Sequence, residues 1–349
     1  DLSELADLRT READDFAPEA LHEMKFVDVI SGTMLRNMAR DDAIFVLGED
    51  VHRLRGGTAG ATKGIAEKFK DRLVGTPICE NGFTGLALGA AMNGLRPVVE
   101  IMYPDFCLVA GDQLFNQISK VRHMFGGGFP LPLMVRSRVS AGAGYGSQHS
   151  MDASGLFALY PGWRIVAPST PFDYIGLVNS ALRCNDPVLV VEHNDLYQTT
   201  GQVPIDDWDY CIPFGSARVV RPGTACTVLT YLSMVQTCVD VADAAGPDAE
   251  IVDLRTLDPL GLDWGTIEAS VRKTNRLVIV EQTARGTSHG ARIAQEAQER
   301  LFDWLDAPVM RVTGTQSAPV VSKPLEEAAL AGPEAVRRGL EQLLEAVWP

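Results

Sequence analysis

The stretch Ile78–Asp112 reads ICENGFTGLALGAAMNGLRPVVEIMYPDFCLVAGD. Its first half predicts a helix over 81–93 that follows Glu80 and carries mostly small side chains. Its second half predicts a buried strand over 97–102, and the aromatic Phe106 lies just beyond it. Because small side chains let another backbone approach closely, this pattern indicates a carboxylate held between closely packed helices, with a flat ring nearby.

Glu80 and Phe106 have two interpretations each. A glutamate at a helix N-terminus can simply complement the helix dipole, and a phenylalanine after a strand can be ordinary core. Alternatively, the carboxylate and the ring can grip and protonate a heteroaromatic cofactor, in a pocket that a partner chain completes. The small-residue face of the helix favours the second interpretation, although tight helix packing alone would also explain it.

Strand and helix signals alternate along the rest of the chain, which predicts a mainly parallel sheet with helices on both faces. The first run of signals has strands at 44–47, 97–102, 131–135, 164–167 and 187–192, and helices at 26–38, 61–69, 81–93, 109–123 and after Ser169-Thr170-Pro171. A polar, turn-rich stretch at 200–215 interrupts the alternation. The second run has strands at 226–231, 250–254, 277–281 and 308–312, and helices at 233–244, 264–272, 289–303 and 333–346. We therefore predict two doubly wound α/β domains, over 24–205 and 206–349, after a charged arm or linker at 1–23.

The composition excludes several classes of function. The 349 residues carry a formal net charge of −14, which disfavours nucleic acid and anionic membrane surfaces as partners. No apolar run reaches the roughly 18–20 residues needed to span a bilayer, so we expect a soluble globular protein. The six cysteines form no CxxC pair and most lie in apolar runs, so we expect buried, reduced thiols rather than a zinc or disulfide framework.

The ordered set of motifs closely resembles the β subunit of the thiamine-diphosphate-dependent E1 component of 2-oxo acid dehydrogenases. The resemblance runs from about residue 24 to the end of the chain. The matching motifs are Gly48-Glu49-Asp50-Val51, Thr62-Lys63-Gly64, Thr76-Pro77-Ile78, the Glu80 helix, Asp112-Gln113, Met124-Phe125-Gly126-Gly127, Gln148-His149-Ser150, Pro161-Gly162, Val166-Ala167-Pro168, Asp186-Pro187, Asp253-Leu254-Arg255-Thr256-Leu257, Leu305-Asp306-Ala307-Pro308-Val309 and Pro324-Leu325-Glu326. It implies a transketolase-like pyrimidine-binding domain followed by a transketolase C-terminal domain.

The resemblance also implies roles for three residues. Glu80 matches the carboxyl group that hydrogen-bonds N1′ of the aminopyrimidine and supports the proton relay to the thiazolium carbon. Phe106 matches the aromatic residue that lies against the pyrimidine ring. His149 matches a histidine that lines the active-site channel and assists acyl transfer to a lipoyl arm, although a lone histidine is more often structural. Asp105, Asp112 and Gln113 are expected to support the site or a subunit contact, and His52 is a weaker substrate-contacting candidate.

The diphosphate end of the cofactor has no matching motif in this chain. Thiamine enzymes use a Gly-Asp-Gly signature for magnesium and diphosphate, and Gly111-Asp112-Gln113 departs from it. The resemblance thus implies an α subunit that holds Mg²⁺ and the diphosphate in an α2β2 assembly. It also implies a monovalent cation site, usually potassium, formed by main-chain carbonyls, but the last two positions depart from the usual Asp and Asn. The matching positions are Leu133, Ala181, Leu182, Cys184 and Asp186.

The expected activity is decarboxylation of a 2-oxo acid and transfer of the acyl group to lipoamide on an E2 protein. The C-terminal domain is expected to serve assembly and E2 binding, since it contains no obvious acid–base set. The chain would be a separate β subunit or the β half of a cleaved or fused E1 chain. An acetoin dehydrogenase subunit, a split transketolase subunit and a non-catalytic assembly subunit are the alternatives. No targeting segment is recognisable in the given sequence, so we expect a cytoplasmic protein if bacterial and a mitochondrial matrix protein if eukaryotic.

Overall fold

The fold described here is that of a computed structural model. It describes residue 5 and residues 7–53, 56–57, 59–244, 247–286 and 289–345. The strands of this part are β1 (Leu21–Lys25), β2 (Ile44–Glu49), β3 (Leu73–Thr76), β4 (Arg96–Ile101), β5 (Met134–Val139), β6 (Arg164–Val166), β7 (Val188–His193), β8 (Thr200–Pro204), β9 (Arg218–Arg221), β10 (Cys226–Thr230), β11 (Ala249–Asp253), β12 (Leu277–Ala284) and β13 (Met310–Gly314). The helices are α1 (Phe26–Arg40), α2 (Ile65–Lys68), α3 (Glu80–Met92), α4 (Val121–Met124), α5 (Ser154–Ala158), α6 (Pro171–Arg183), α7 (Met234–Asp243), α8 (Trp264–Thr274), α9 (Gly290–Leu301), α10 (Lys323–Ala329) and α11 (Pro333–Glu345).

The first sheet has six parallel strands in the order β3-β2-β4-β5-β7-β6. Apolar side chains fill the strands, as expected for a sheet covered on both faces. The chain leaves β2 for the edge strand β3 and then returns to β4 on the other side of β2. This reversal opens a crevice at the carboxyl ends of β2 and β4, which is where α/β sheets bind ligands.

The second sheet has the order β13-β12-β10-β11-β9. Its strands are parallel except β9, which runs antiparallel to β11. The predicted fold class of two α/β domains is therefore confirmed. None of the described helices is long and apolar enough to cross a membrane.

Helix α6 shows how local sequence fixes an element. Thr170 caps its N-terminus by accepting a hydrogen bond from Asp173 N at 3.1 Å, and Pro171 occupies the first turn. The predicted helix start at Ser169-Thr170-Pro171 is thus confirmed. By contrast, the helix predicted over 109–123 is a π-helical segment, Asp112–Ile118, followed by the separate short helix α4.

The segment 200–215 is packed rather than a free linker. Strand β8 pairs antiparallel with β1, and the aromatic side chains of Trp208 and Tyr210 behind it are buried. Asn179 donates to the carbonyls of both residues, at 2.8 and 2.7 Å. The polar composition of this stretch gives no sign of that packing, because the sequence does not reveal the pairing with β1 or the contacts with Asn179.

The described part of the predicted arm at 1–23 also lies against the body. Phe16 packs edge-on against Phe172 and Tyr210, with ring centroids 5.8 and 5.9 Å away. Glu12 forms two hydrogen bonds with Arg255, which belongs to the second half of the chain. Five of the six cysteines are buried as expected, while Cys79 is exposed.

Candidate active site

Three parallel strands direct the predicted site residues to one edge of the first sheet. Glu80 follows β3, Phe106 follows β4, and His149 follows β5. Since the carboxyl ends of parallel strands meet at the same edge, residues separated by about 70 positions in sequence come to one edge of the sheet, where Phe106 and His149 are in contact. The sequence motifs identified these residues, and the order of the strands brings them to the same edge of the sheet.

Glu80 is a buried carboxylate that no other group satisfies. It is the first residue of α3, its exposure is 6%, and no hydrogen bond to its side chain occurs in the described part of the chain. Glu49, at the end of β2, lies close enough to Glu80 for the two negative charges to repel each other. Burial, followed by the charge of Glu80 and then that of Asp50, raises the pKa of Glu49. Two acidic side chains that repel each other at the edge of the sheet indicate a site built for a ligand rather than for stability.

The glycines of α3 leave space that this chain does not fill. A methyl group placed on Gly89 would meet no atom within 4 Å, and one placed on Gly85 would meet only Gln113, at 3.6 Å. The face is therefore open at Gly85 and Gly89 within the described chain. A methyl group on Gly82 would meet Cys79 Sγ at 2.7 Å, and Ala87 and Ala91 are buried, so tight packing accounts for part of the small-residue pattern.

Phe106 and His149 meet in an aromatic cluster. The His149 ring lies 5.2 Å from the Phe106 ring and 4.6 Å from Tyr103, all measured between centroids. Tyr145, on the glycine loop, completes the cluster at 5.9 Å from Tyr103. The sequence indicated Phe106 and His149 but not the two tyrosines, because their isolated positions carry no signal of proximity.

Asp105 links the segment that carries Phe106 to the segment that carries His149. Its carboxylate accepts a hydrogen bond from Met151 N at 3.1 Å, two residues beyond His149. Burial raises the pKa of Asp105, and the Met151 N–H and His149 counteract part of this shift. Asp105 is placed to support the site, in agreement with the expectation for it.

Two other candidates from the sequence, Asp112 and His52, have contacts of their own. Asp112 accepts hydrogen bonds from Asn116 and Gln117 within its own helical segment, at 3.0 and 3.5 Å. His52 is exposed and lies against the backbone of Gly75 on β3. Among the described residues, no group of three or more His, Cys, Asp or Glu side chains is arranged to hold a metal ion.

The predicted cation ligands already have partners of their own. Arg96 donates from Nη1 to the carbonyls of Leu182 and Cys184, at 3.0 and 3.2 Å. A guanidinium thus supplies positive charge to two of the five carbonyls, and a second cation on the same oxygens would be repelled by it. These two residues fit an arginine-linked turn better than an open ring of carbonyls.

The other three predicted ligand positions give no further support for a bound potassium ion. Leu133 O accepts a hydrogen bond from Val188 N at 2.9 Å, and Ala181 is buried in α6. The carboxylate of Asp186 pairs with Arg122 and lies 3.7 Å from Arg164. Potassium at this place stays a prediction.

Comparison with known proteins gives the same domain pair. The family model of the transketolase pyrimidine-binding domain matches residues 22–200, and that of the transketolase C-terminal domain matches residues 215–336. A solved structure described as a split gene transketolase, inactive beta4 tetramer, superposes with a TM-score of 0.73 at 18% identity. The match covers 92% of this chain and 98% of the solved chain, and at this identity it shows similarity of fold alone.

Curated relatives are similar over most of the chain. The pyruvate dehydrogenase E1 component subunit beta of Staurastrum punctulatum is 38% identical over 327 residues, 93% of this chain and 98% of the relative. The acetoin:2,6-dichlorophenolindophenol oxidoreductase subunit beta of Cupriavidus necator is 40% identical over 304 residues, 84% of this chain and 89% of the relative. The chain therefore belongs to the transketolase-like family that contains the β subunits of 2-oxo acid dehydrogenase E1 components.

Proposed function

We propose that this chain is the β subunit of a thiamine-diphosphate-dependent E1 enzyme that decarboxylates a 2-oxo acid and passes the acyl group to lipoamide on an E2 protein. The observation that carries the proposal is the largely buried side chain of Glu80, which makes no hydrogen bond within the described residues and lies at the sheet edge that also carries Phe106. An aminopyrimidine ring fits these residues, because its nitrogen would satisfy the carboxyl group and its flat face would lie against an aromatic side chain.

Glu80 would hold a proton at N1′ of the pyrimidine. Its 6% exposure keeps water from competing for that hydrogen bond. Bound thiamine diphosphate would supply the electron sink that decarboxylation of a 2-oxo acid needs. Glu49 lies outside this proposed contact, and burial and the charge of Glu80 raise the pKa of Glu49 itself.

His149 and the aromatic cluster would line the channel by which the substrate and the lipoyl arm enter. The ring is half-buried and lies between Tyr103 and Phe106, so its orientation is restricted while its edge stays accessible. A histidine held in this way can donate or accept a proton as the acyl group moves to the dithiolane sulfur.

A partner chain is part of the proposal. Exposed apolar side chains lie on α3, just before it and just after Phe106, and Gly85 and Gly89 of α3 are open as well. These side chains belong to Ile78, Leu86, Leu108 and Val109. An α subunit covering them would hold the diphosphate and Mg²⁺, and an α2β2 assembly would follow. E2 binding by the second domain and a location that is cytoplasmic if bacterial and in the mitochondrial matrix if eukaryotic belong to the same proposal. Potassium rests on the resemblance alone, because Arg96 already donates to two of the five carbonyls.

Activity assays of the complex with the co-purified α subunit test this function. We expect turnover of 2-oxo acids with a lipoyl domain as acceptor, and loss of that turnover in Glu80→Gln. Acetoin is the second substrate to test, because a relative named as an acetoin oxidoreductase subunit is 40% identical. Turnover of acetoin but of no 2-oxo acid would replace the favoured substrate, and wild-type activity of Glu80→Gln would refute the role of the acid.

A further inference from the structure

The glycine loop before His149 forms an anion-binding concavity in its backbone. Gly142, Gly144 and Gly146 have φ values of 90°, 76° and 85°, and they alternate with other residues. Alternation of left- and right-handed residues turns successive N–H groups toward one side of the chain, where they can hold an anion. In this structure the N–H groups of Gly142 and Gly144 both donate to one oxygen of Glu326, at 2.9 and 3.1 Å.

Glu326 comes from the second domain and is fully buried. It lies on α10 with an exposure of 0%, and Lys323 of the same helix is 3.6 Å from its second oxygen. Lys323 also donates to the carbonyl of Gly142, and Ser147 donates to Pro319 O at 2.8 Å. The C-terminal domain thus grips the loop through its carboxylate, its ammonium group and its backbone.

A second anchor lies on the other side of His149. The carboxylate of Asp152 accepts hydrogen bonds from Ser154 and from Tyr231, the latter at 3.1 Å. Ser154 also pairs with His289 Nε2 at 3.0 Å. Tyr231 and His289 belong to the C-terminal domain and are buried, so His149 lies between two points at which that domain holds the chain.

We infer that Glu326 is a positioning residue, whose carboxylate fills the loop concavity formed by Gly142 and Gly144 and so keeps His149 against Tyr103 and Phe106. A loop with three left-handed glycines has many alternative conformations, and an external anchor is needed to select one. The functional part of this inference rests on the role proposed for His149. It gives the C-terminal domain a share in the active site in addition to assembly.

The first test measures hydrogen exchange of the full chain, with Glu326→Ala as the main variant. Two amides of the loop donate directly to Glu326, so peptides covering 140–151 should exchange about 5- to 100-fold faster in this variant. Glu327→Ala is the matched control, since Glu327 is an exposed neighbour on α10, and it should leave exchange unchanged. Unaltered exchange of the loop in Glu326→Ala would overturn the inference.

Chemical rescue tests whether a carboxylate is what the loop requires. Acetate has the size of the atoms that Glu326→Ala removes, so it should slow the loop exchange again, whereas acetamide and chloride at equal concentration should not. Glu326→Gln keeps the side-chain volume, and it should accelerate exchange less than Glu326→Ala because neutral hydrogen bonds are weaker. If Glu326→Ala fails to fold, unchanged exchange in Glu326→Gln refutes the proposal.

Activity of the α–β complex separates this inference from the proposed function. Glu326→Ala should reduce lipoyl-dependent turnover about 10-fold or more. It should leave decarboxylation with a dye acceptor and the affinity for thiamine diphosphate within a factor of about 3. If Glu326→Ala loosens the loop but lipoyl-dependent turnover stays normal, Glu326 does not position His149 for its function. If His149→Ala keeps full activity, the function proposed for His149 itself is refuted.

Discussion

Glu80→Gln should make the protein more stable while it removes the activity. The side chain is almost fully buried, accepts no hydrogen bond within the described residues, and shares its environment with Glu49. Replacing the carboxylate by an amide of equal shape removes its repulsion with Glu49 and creates no cavity. The interaction of one pair of charges near the surface is worth about 1 kcal/mol or less, so we expect a gain of that order.

The expected loss of activity is much larger than the change in stability. A correctly placed proton donor contributes about 10²- to 10⁴-fold to the rate, and glutamine cannot transfer a proton to the ring nitrogen. Steady-state turnover of the reconstituted complex and urea unfolding of the isolated chain measure the two effects separately.

The matched control is Glu49→Gln, which should gain stability for the same reason but keep most of the activity. Two results would refute the reasoning. A Glu80→Gln variant less stable than wild type would mean that Glu80 has a stabilising partner, and an active variant would mean that it transfers no proton.

Three further predictions concern the rest of the molecule. Arg255 is fully buried and pairs with Asp173 at 2.6 Å, so Arg255→Met should lower the free energy of unfolding by about 3–5 kcal/mol in urea titrations, and a loss below about 1 kcal/mol would contradict the structure. Burial raises the pKa of Asp253 to about 7, so the folded state retains its proton to higher pH than the unfolded state does. Stability should therefore fall by about 2 kcal/mol between pH 5 and 8, and Asp253→Asn should abolish that pH dependence, which equal slopes in the two proteins would disprove. His149→Ala should lower lipoyl-dependent turnover about 10²-fold and spare turnover with a dye acceptor, and equal losses with both acceptors would show that its role is not specific to acyl transfer.

The sequence predicted the fold where local signals are strong. Buried strands such as β4 and β10 have continuous apolar residues, and Thr170-Pro171 sets the start of α6, so these elements were recognised within a few positions. Strands β1 and β8 were missed, because they pair only with each other across almost the whole first domain and their own residues are mixed in polarity. The break between Asp112–Ile118 and α4 was also missed, since apolar spacing does not distinguish one helix from two short ones.

The sequence by itself determined the class of the protein and the chemical groups of its site. The spacing of its motifs, the small residues around Glu80 and the absence of a Gly-Asp-Gly signature are local properties of the chain. Only the tertiary structure decided that Glu326 holds the loop before His149 and that Arg96 contacts Leu182 and Cys184. These contacts join residues about 90 to 180 positions apart, and no local pattern encodes which backbone group a distant charged side chain will meet.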